Sequence, residues 1–109
     1  MLHINGTSIR LTRGDTAYLT VDISYTSSGK EYILESNDTL TLTIVDRVSK
    51  QVVFDKTASG SNRSKISSSD TANIMCGKYI YDVQLKKQNG DICTIIEPSV
   101  FEIMPEVTA

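Results

Sequence analysis

The chain has 109 residues, a formal net charge of -2, one histidine, two cysteines and no tryptophan. Thr, Ile and Val together supply 32 residues and Ser another 13, a composition that favours strands over helices. It excludes a helical bundle, a disulfide-stapled miniprotein, a zinc module and a basic nucleic-acid binder, and the length predicts one domain over residues 1–109.

The first half of the chain is dominated by alternating apolar and polar residues, the period of a strand with one buried face. A short strand is predicted over residues 8–12, followed by a turn at Arg13-Gly14-Asp15. Residues 16–25 form a longer predicted strand, residues 32–34 a short apolar one, and residues 39–45 an alternating strand with its threonines outward.

The middle of the chain is more polar. Residues 51–56 are predicted to form a strand, and the small polar residues 58–63 are the segment most expected to be mobile. A short strand resembling a sheet edge is predicted over residues 64–68. Asp70 is expected to cap one helical turn over residues 72–75, ended by Gly77.

Residues 78–86 carry the clearest alternation in the sequence. Asn89-Gly90 follows, and because both residues tolerate positive φ we expect a hairpin with a two-residue loop. That loop would place three pairs of residues opposite each other: Val83 and Ile96, Leu85 and Thr94, and Lys87 and Ile92. Pro98 is expected to interrupt the returning strand, and residues 100–104 form the last predicted strand.

Seven to nine strands at intervals of 8 to 12 residues predict an antiparallel β-sandwich. Tyr79 and Tyr81 stand near the start of a late strand. This is where immunoglobulin-like sandwiches carry a tyrosine corner, whose hydroxyl bonds back to nearby main chain. The predicted fold is therefore an immunoglobulin-like, all-β sandwich.

Residues that could carry chemistry are few. His3 is the only imidazole, and Cys76 and Cys93 are expected to be reduced, partly buried thiols, with a disulfide as the less favoured alternative. Arg13-Gly14-Asp15 spells the tripeptide that integrins recognise, but we interpret it as a turn. The eight aspartates lack the spacing of a calcium loop. We therefore predict no enzyme activity and no catalytic, cofactor-binding or metal-binding residues.

The chain also lacks the signals that direct a protein to a membrane or to nucleic acid. Residues 1–7 have neither the charged nor the apolar region of a signal peptide, which predicts synthesis in the bacterial cytoplasm. No apolar run approaches the roughly 20 residues that span a bilayer. The basic residues are scattered, with only Lys86-Lys87 adjacent, so nucleic acid is not an expected partner.

A progression of motifs runs over nearly the whole chain: Arg13-Gly14-Asp15-Thr16-Ala17, residues 38–43, Asp70-Thr71, residues 77–85, Asn89-Gly90-Asp91, residues 94–96, Pro98-Ser99, residues 101–103 and Glu106-Val107-Thr108. This progression resembles small structural proteins of tailed phages and prophages in Firmicutes. The resemblance implies an immunoglobulin-like domain similar to the N-terminal domain of baseplate upper proteins. It further implies a non-enzymatic tail or baseplate component of the virion whose partners are other virion proteins or a second copy, with no small-molecule ligand expected.

Two surfaces are candidates for such contacts. One is Tyr18 with its threonine neighbours. The other contains Val45, Val53, Cys93 and Ile95, which lie opposite the main inward set and form either a second buried layer or an interface. For Val45 and Val53 we favour the buried layer.

The alternative function is a carbohydrate- or cation-binding β-sandwich module. Bound glycan would require exposed aromatic side chains beside carboxylates, for which Tyr18, Tyr25 and Tyr32 are available. Loops of a sandwich could also assemble a cation site from distant aspartates.

Overall fold

The structure, a computed structural model, describes residues 2–5, 7–25 and 28–106, with side chains described from residue 7 onward. The side chain of His3 and residues 107 and 108 of the last motif lie outside it. The elements in chain order are β1 (Leu2–Asn5), β2 (Ser8–Thr12), β3 (Ala17–Thr20), β4 (Thr39–Val45), β5 (Val52–Ser59), β6 (Arg63–Ile66), α1 (Ser68–Thr71), β7 (Gly77–Lys86) and β8 (Ile92–Met104). In this described part, no helix combines the length and apolar character needed to cross a membrane.

The eight strands form two sheets. The large sheet has the order β1-β2-β8-β7-β4-β5, and the small sheet contains β3 and β6. The apolar faces of both sheets meet in one core. The predicted all-β, immunoglobulin-like sandwich is confirmed, and the strand count lies within the predicted range.

One strand pairing departs from the predicted antiparallel arrangement. β2 runs parallel to β8, from Ile9 opposite Phe101 to Thr12 opposite Met104. The turn at Gly14, which has φ of +83°, carries the chain away from the large sheet to β3 in the small sheet. β2 therefore has no hairpin partner in β3, and it instead borders the last strand, which runs in the same direction.

The core follows the alternation of the strands. In β4 every second residue is buried, and the threonines between them face outward, where the hydroxyls of Thr41 and Thr57 lie 3.2 Å apart. The buried apolar side chains are Ile9, Leu11, Ala17, Leu19, Val21, Leu40, Leu42, Ile44, Ile66, Tyr81, Val83, Leu85, Phe101 and Ile103. β4 has the bounds that the sequence predicts.

Two predicted strands between residues 16 and 34 are wrong in part. β3 ends at Thr20, and residues 32–34 form no strand. The main chain bonds within this segment instead, since Tyr25 N donates to Lys30 O and Tyr32 N donates to Ile23 O, both at 2.8 Å. These local bonds satisfy the backbone without a sheet partner.

The segment 58–63, which the sequence predicts to be mobile, consists mostly of strand ends. Ala58 and Ser59 belong to β5 and pair with β4. Gly60 N donates to Asp38 O at 2.8 Å, and the Asn62 side chain donates to Val21 O at 3.0 Å. Its small residues allow the chain to turn sharply from the large sheet into the small one.

A helical turn forms, but it spans residues 68–71 instead of the predicted 72–75, and its N-cap lies three residues before Asp70. Ser67 is the N-cap of α1, and Asp70, at the third helical position, accepts a hydrogen bond from Ser67 N at 2.7 Å. An acidic residue at this position closes a capping box, which explains why Asp70 is not the cap itself. Gly77 does not end the helix but begins β7.

The hairpin between β7 and β8 has a three-residue loop. Gly90 N donates to Lys87 O and Lys87 N donates to Asp91 O. Gly90 has φ of +97°, whereas Asn89 does not have the positive φ that a two-residue loop requires. The predicted pair Val83–Ile96 is confirmed, but Leu85 faces Cys93 and Lys86 faces Ile92.

Pro98 does not interrupt β8, contrary to the prediction. The register between β7 and β8 shifts between Tyr81 and Val83, and this irregularity leaves Glu97 and Pro98 opposite Asp82. Proline lacks a main-chain N–H, and a bulge is the one place inside a sheet where that donor is not needed.

Candidate interaction surface

The outer face of the small sheet carries an aromatic ring between two cations. Ala17 and Leu19 of β3 point into the core, so Tyr18 and Thr20 point outward. On β6, Ser64 and Ile66 are buried while Arg63 and Lys65 are exposed. The register places Tyr18 opposite Lys65 and Thr20 opposite Arg63. We call Tyr18, Arg63 and Lys65 the cationic patch.

Both cations of this patch are directed at the same ring. Arg63 Cζ lies 4.1 Å from the centroid of Tyr18 and Lys65 Nζ lies 6.0 Å from it, distances at which cations are attracted to an aromatic face. No ion pair joins either cation to a carboxylate among the described residues. Three other cations are neutralised: Arg10 by Glu102, Arg13 by Glu106 and Lys56 by Asp70.

The small sheet also has open edges. β3 and β6 have only each other as hydrogen-bonded neighbours in the described sheets. Val21 N donates to Asn62 O at 2.9 Å, so these two residues are a hydrogen-bonded pair of the antiparallel ladder. Hydrogen-bonded and non-hydrogen-bonded pairs alternate along such a ladder, which makes Thr20–Arg63 and Tyr18–Lys65 non-hydrogen-bonded pairs. The main-chain groups of Arg63 and Lys65 therefore point away from β3. Arg63 N donates to Ser61 Oγ at 3.1 Å, as this direction requires.

The four residues of the second predicted contact surface do not form one surface in the structure. Val53 and Ile95 are half-buried and pack against the core, whereas Cys93 is exposed. Val45 lies on the outer face of the large sheet beside Ile80. There it lines an open groove of about 430 Å³ together with Lys50, Asp82 and Pro98, among others.

The three tyrosines of the predicted glycan platform do not form one surface. Tyr18 belongs to the cationic patch, while Tyr25 and Tyr32 contact each other edge to face, with ring centroids 5.5 Å apart. Lys87 Nζ lies 5.0 Å from the Tyr32 ring centroid. A sugar stacks on an open aromatic face, and this arrangement covers one face of Tyr32 with an ammonium group.

The Asp38 carboxylate ties its own loop to the loop between β7 and β8, a role that the sequence does not reveal. The carboxylate is buried and accepts hydrogen bonds from the Tyr32 hydroxyl, from Glu35 N at 3.0 Å and from Gln88 N at 3.0 Å. The bond from Tyr32, followed by that from Glu35 N, lowers the pKa of Asp38 below its ordinary value of 3.8. The same contact raises the pKa of Tyr32 to about 12. The local signal was an aspartate directly before a strand.

The tyrosine corner is confirmed at Tyr79, whose hydroxyl donates to Met75 O at 2.6 Å. The Tyr81 hydroxyl instead donates to Thr7 O, just before β2 of the same sheet. Burial raises the pKa of both phenols. Both tyrosines therefore hold main-chain segments in place.

The remaining candidates also have structural positions. Cys76 and Cys93 are free thiols, and both are exposed where the sequence predicts partial burial, because Cys76 lies in a bend and Cys93 lies beside the loop of the β7–β8 hairpin. Arg13 forms two bonds with the carboxylate of Glu106, at 2.8 and 3.0 Å, which lower the pKa of Glu106. Across the described residues, no group of three or more His, Cys, Asp or Glu side chains could hold a metal ion.

No protein-family model matches this chain, and no curated protein matches it. Among solved structures, CopC from Methylosinus trichosporium OB3b is similar, with a TM-score of 0.43 and 12% sequence identity. The match covers 70% of this chain and 71% of that chain. At this level the likeness carries no functional argument, and the sandwich is defined by its own strands and core.

Proposed function

We propose that the protein is a non-enzymatic structural subunit of a tailed phage or prophage particle, in the tail or baseplate, that acts through protein–protein contacts. The phage part of this proposal is supported by the motif progression, and it includes synthesis in the cytoplasm followed by incorporation into the virion. The observation that carries the contact role is the two-stranded small sheet, with open edges on both sides and the cationic patch outside.

Open edges suit assembly because they offer main-chain donors and acceptors at fixed spacing. A partner strand that pairs with an edge gains those hydrogen bonds, and side chains on alternating sides supply specificity. The large sheet adds two further edges, at β1 and β5. Tyrosine and arginine are also the residue types that most often dominate binding energy at protein interfaces.

Mass spectrometry of purified particles from the producing strain tests this proposal. We expect the protein to co-purify with intact particles through a density gradient, and antibody labelling should place it at the tail end in electron micrographs. An abundant cytoplasmic protein of the same cells serves as the contamination control. Presence in the cells together with absence from intact particles would contradict the proposal.

A carbohydrate- or cation-binding module stays an alternative hypothesis. Isothermal titration with calcium and a glycan array distinguish it, because a structural subunit needs neither ligand. Saturable binding of a glycan that Tyr25→Ala abolishes would favour the alternative, since Tyr25 is half exposed and contacts Tyr32 edge to face.

A further inference from the structure

We propose that the open edge of β6 binds an extended segment of a partner protein as a third strand of the small sheet. The segment alternates acidic and apolar residues, with its acidic side chains against Arg63 and Lys65 and its apolar side chains toward β5. The partner's being a protein rests on the proposed function, whereas the edge and its charges belong to this chain alone.

The first support is the incomplete cover of β5. In β4, the core-facing Leu42 and Ile44 are buried, whereas Phe54 and Ala58 on the same face of the neighbouring β5 are only half-buried. Lys56 lies between them on that face and forms an ion pair with Asp70 of α1, so the uncovered apolar surface of β5 consists of Phe54 and Ala58. The reason is the difference in width between the two sheets, since the small sheet has two strands and the large sheet six. β6 is the small-sheet strand that approaches β5. A strand added at β6 would therefore lie opposite β5 and cover its apolar side chains.

The second support is the direction of the main-chain groups. Because Lys65 is in a non-hydrogen-bonded pair with Tyr18, its N–H and C=O are directed away from β3, toward the open edge. The carbonyl of Arg63 points the same way. An incoming strand would thus find donors and acceptors at the two residues whose side chains are cationic.

The third support is charge. Arg63 and Lys65 stand on the outer face of β6 and form no ion pair with a described carboxylate, in a chain whose overall net charge is -2. A strand beside β6 would place its own outward side chains directly next to them, where opposite charges stabilise the pair. Acidic residues therefore fit the outward positions of the added strand.

Single-stranded nucleic acid is the weaker fit for this surface. Bases stack on exposed aromatic faces, and Arg63 already covers one face of Tyr18 at 4.1 Å. A backbone of phosphates would also require a longer track of cations than these two. An acidic strand uses both the edge and the charges.

The test uses the full-length, ¹⁵N-labelled chain titrated with a synthetic seven-residue peptide of alternating Glu and Val. Amide shift changes are expected at residues 54–58 and 63–66. A peptide of alternating Lys and Val should bind at least about tenfold more weakly, because its cations face Arg63 and Lys65. Equal binding of both peptides, no binding of either, or shifts confined to another edge would overturn the proposal.

A pair of charge variants identifies the residues involved. The double variant Arg63→Gln/Lys65→Gln should weaken binding of the acidic peptide about tenfold. The matched control Lys78→Gln/Lys86→Gln removes two exposed lysines from the large sheet and should leave binding unchanged. Amide spectra of both variants establish that they are folded, and equal weakening in both would show only a general charge effect.

The outcome is separable from that of the proposed function. Peptide binding at β6 by a protein that is absent from particles would contradict the virion role and leave the strand site standing. Incorporation into particles without peptide binding would do the reverse. In that second case the charges of β6 serve to keep other strands away from an exposed edge.

Discussion

The two strands at one side of the large sheet, β4 and β5, show how the width of the small sheet controls burial. They are neighbours with matching alternation, yet the core-facing residues of β4 are buried and those of β5 are only half-buried. Their sequences explain part of this difference, because β4 presents Leu40, Leu42 and Ile44 toward the core whereas β5 presents Phe54, Lys56 and Ala58. Cover from the small sheet adds to it, because β5 is the outermost strand of the large sheet and β6 is the small-sheet strand that approaches it.

The largest effect is expected from removing a fully buried aromatic ring of the core and comparing the loss with that from removing a half-buried ring on β5. Phe101 is fully buried and contacts Phe54 edge to face, with centroids 6.0 Å apart. Phe101→Ala should lower the free energy of unfolding by about 3–5 kcal/mol, and Phe54→Ala by about 1–2 kcal/mol because less surface is lost. Guanidinium denaturation measures both, and equal losses would refute the difference in cover between the two positions.

A smaller effect is expected at the corner where the chain leaves the large sheet for the small one. Gly60 has φ of +64°, and a Cβ there would lie 3.2 Å from Ser36 Cα. Gly60→Ala should cost about 2–3 kcal/mol, the sum of a left-handed conformation and crowding against main chain.

Gly29 is the matched control, because its φ is +71° but no atom lies within 4 Å of the added Cβ. Gly29→Ala should cost only the conformational part, about 1–2 kcal/mol. The two variants compared by thermal unfolding isolate the contact between the corner and Ser36, and a larger loss at Gly29 would contradict it.

Hydroxyl deletion distinguishes a tyrosine of the large sheet from one of the small sheet. Tyr79→Phe removes the bond to Met75 O and should cost about 1 kcal/mol. Tyr18→Phe should change stability by less than about 0.5 kcal/mol, since the Tyr18 hydroxyl makes no hydrogen bond with the described residues. Urea denaturation of the two variants side by side measures the difference, which should vanish if the corner has no structural role.

The smallest effect is a dependence on pH. The folded state lowers the pKa of Asp38, so the unfolded chain takes up the proton first as the solution is acidified. The stabilisation is complete above the ordinary value of 3.8 and is lost as pH falls from there through the folded pKa.

Asp38→Asn should therefore flatten part of the decrease in stability below about pH 4. Asp46→Asn is the control at the other end of the sandwich, since main-chain bonds from Ser49 and Val48 lower the pKa of Asp46 as well. Unfolding midpoints between pH 2 and 6 measure each contribution. An unchanged slope in Asp38→Asn would show that folding does not lower the pKa of this carboxylate.

Local alternation predicts strands well where it decides which face is buried. The bounds of β4 and most of β7 follow from the sequence because their apolar residues recur every second position against one core. One of the three predicted hairpin pairs is correct, since Val83 faces Ile96, whereas the αL conformation of Gly90 alone lengthens the loop and shifts the other two. Turn conformation depends on the backbone torsions of a few residues. Residue type restricts these torsions but does not determine them.

Contacts between distant residues could not be predicted in this way. Tyr18 was a candidate from its exposure, but its contact with Arg63 arises from pairing two strands that are far apart in the chain. In the sequence Asp38 is one of several turn aspartates, and its contact with Gln88 comes from another loop, 50 residues further along the chain. Alternation identifies faces, whereas the neighbours of a strand depend on the path of the whole chain.

The parallel pairing of β2 with β8 constrains the order in which the protein folds. It joins residues 9–12 to residues 101–104, and the ion pair of Arg13 with Glu106 reinforces the same closure. Contacts between residues so far apart in sequence require the loss of loop-closure entropy before any stabilising contact has formed. During synthesis on the ribosome, the edge of β2 that pairs with β8 therefore stays unpaired until nearly all of the described chain has been synthesised. This docking is a late step that should govern how quickly the native sandwich forms.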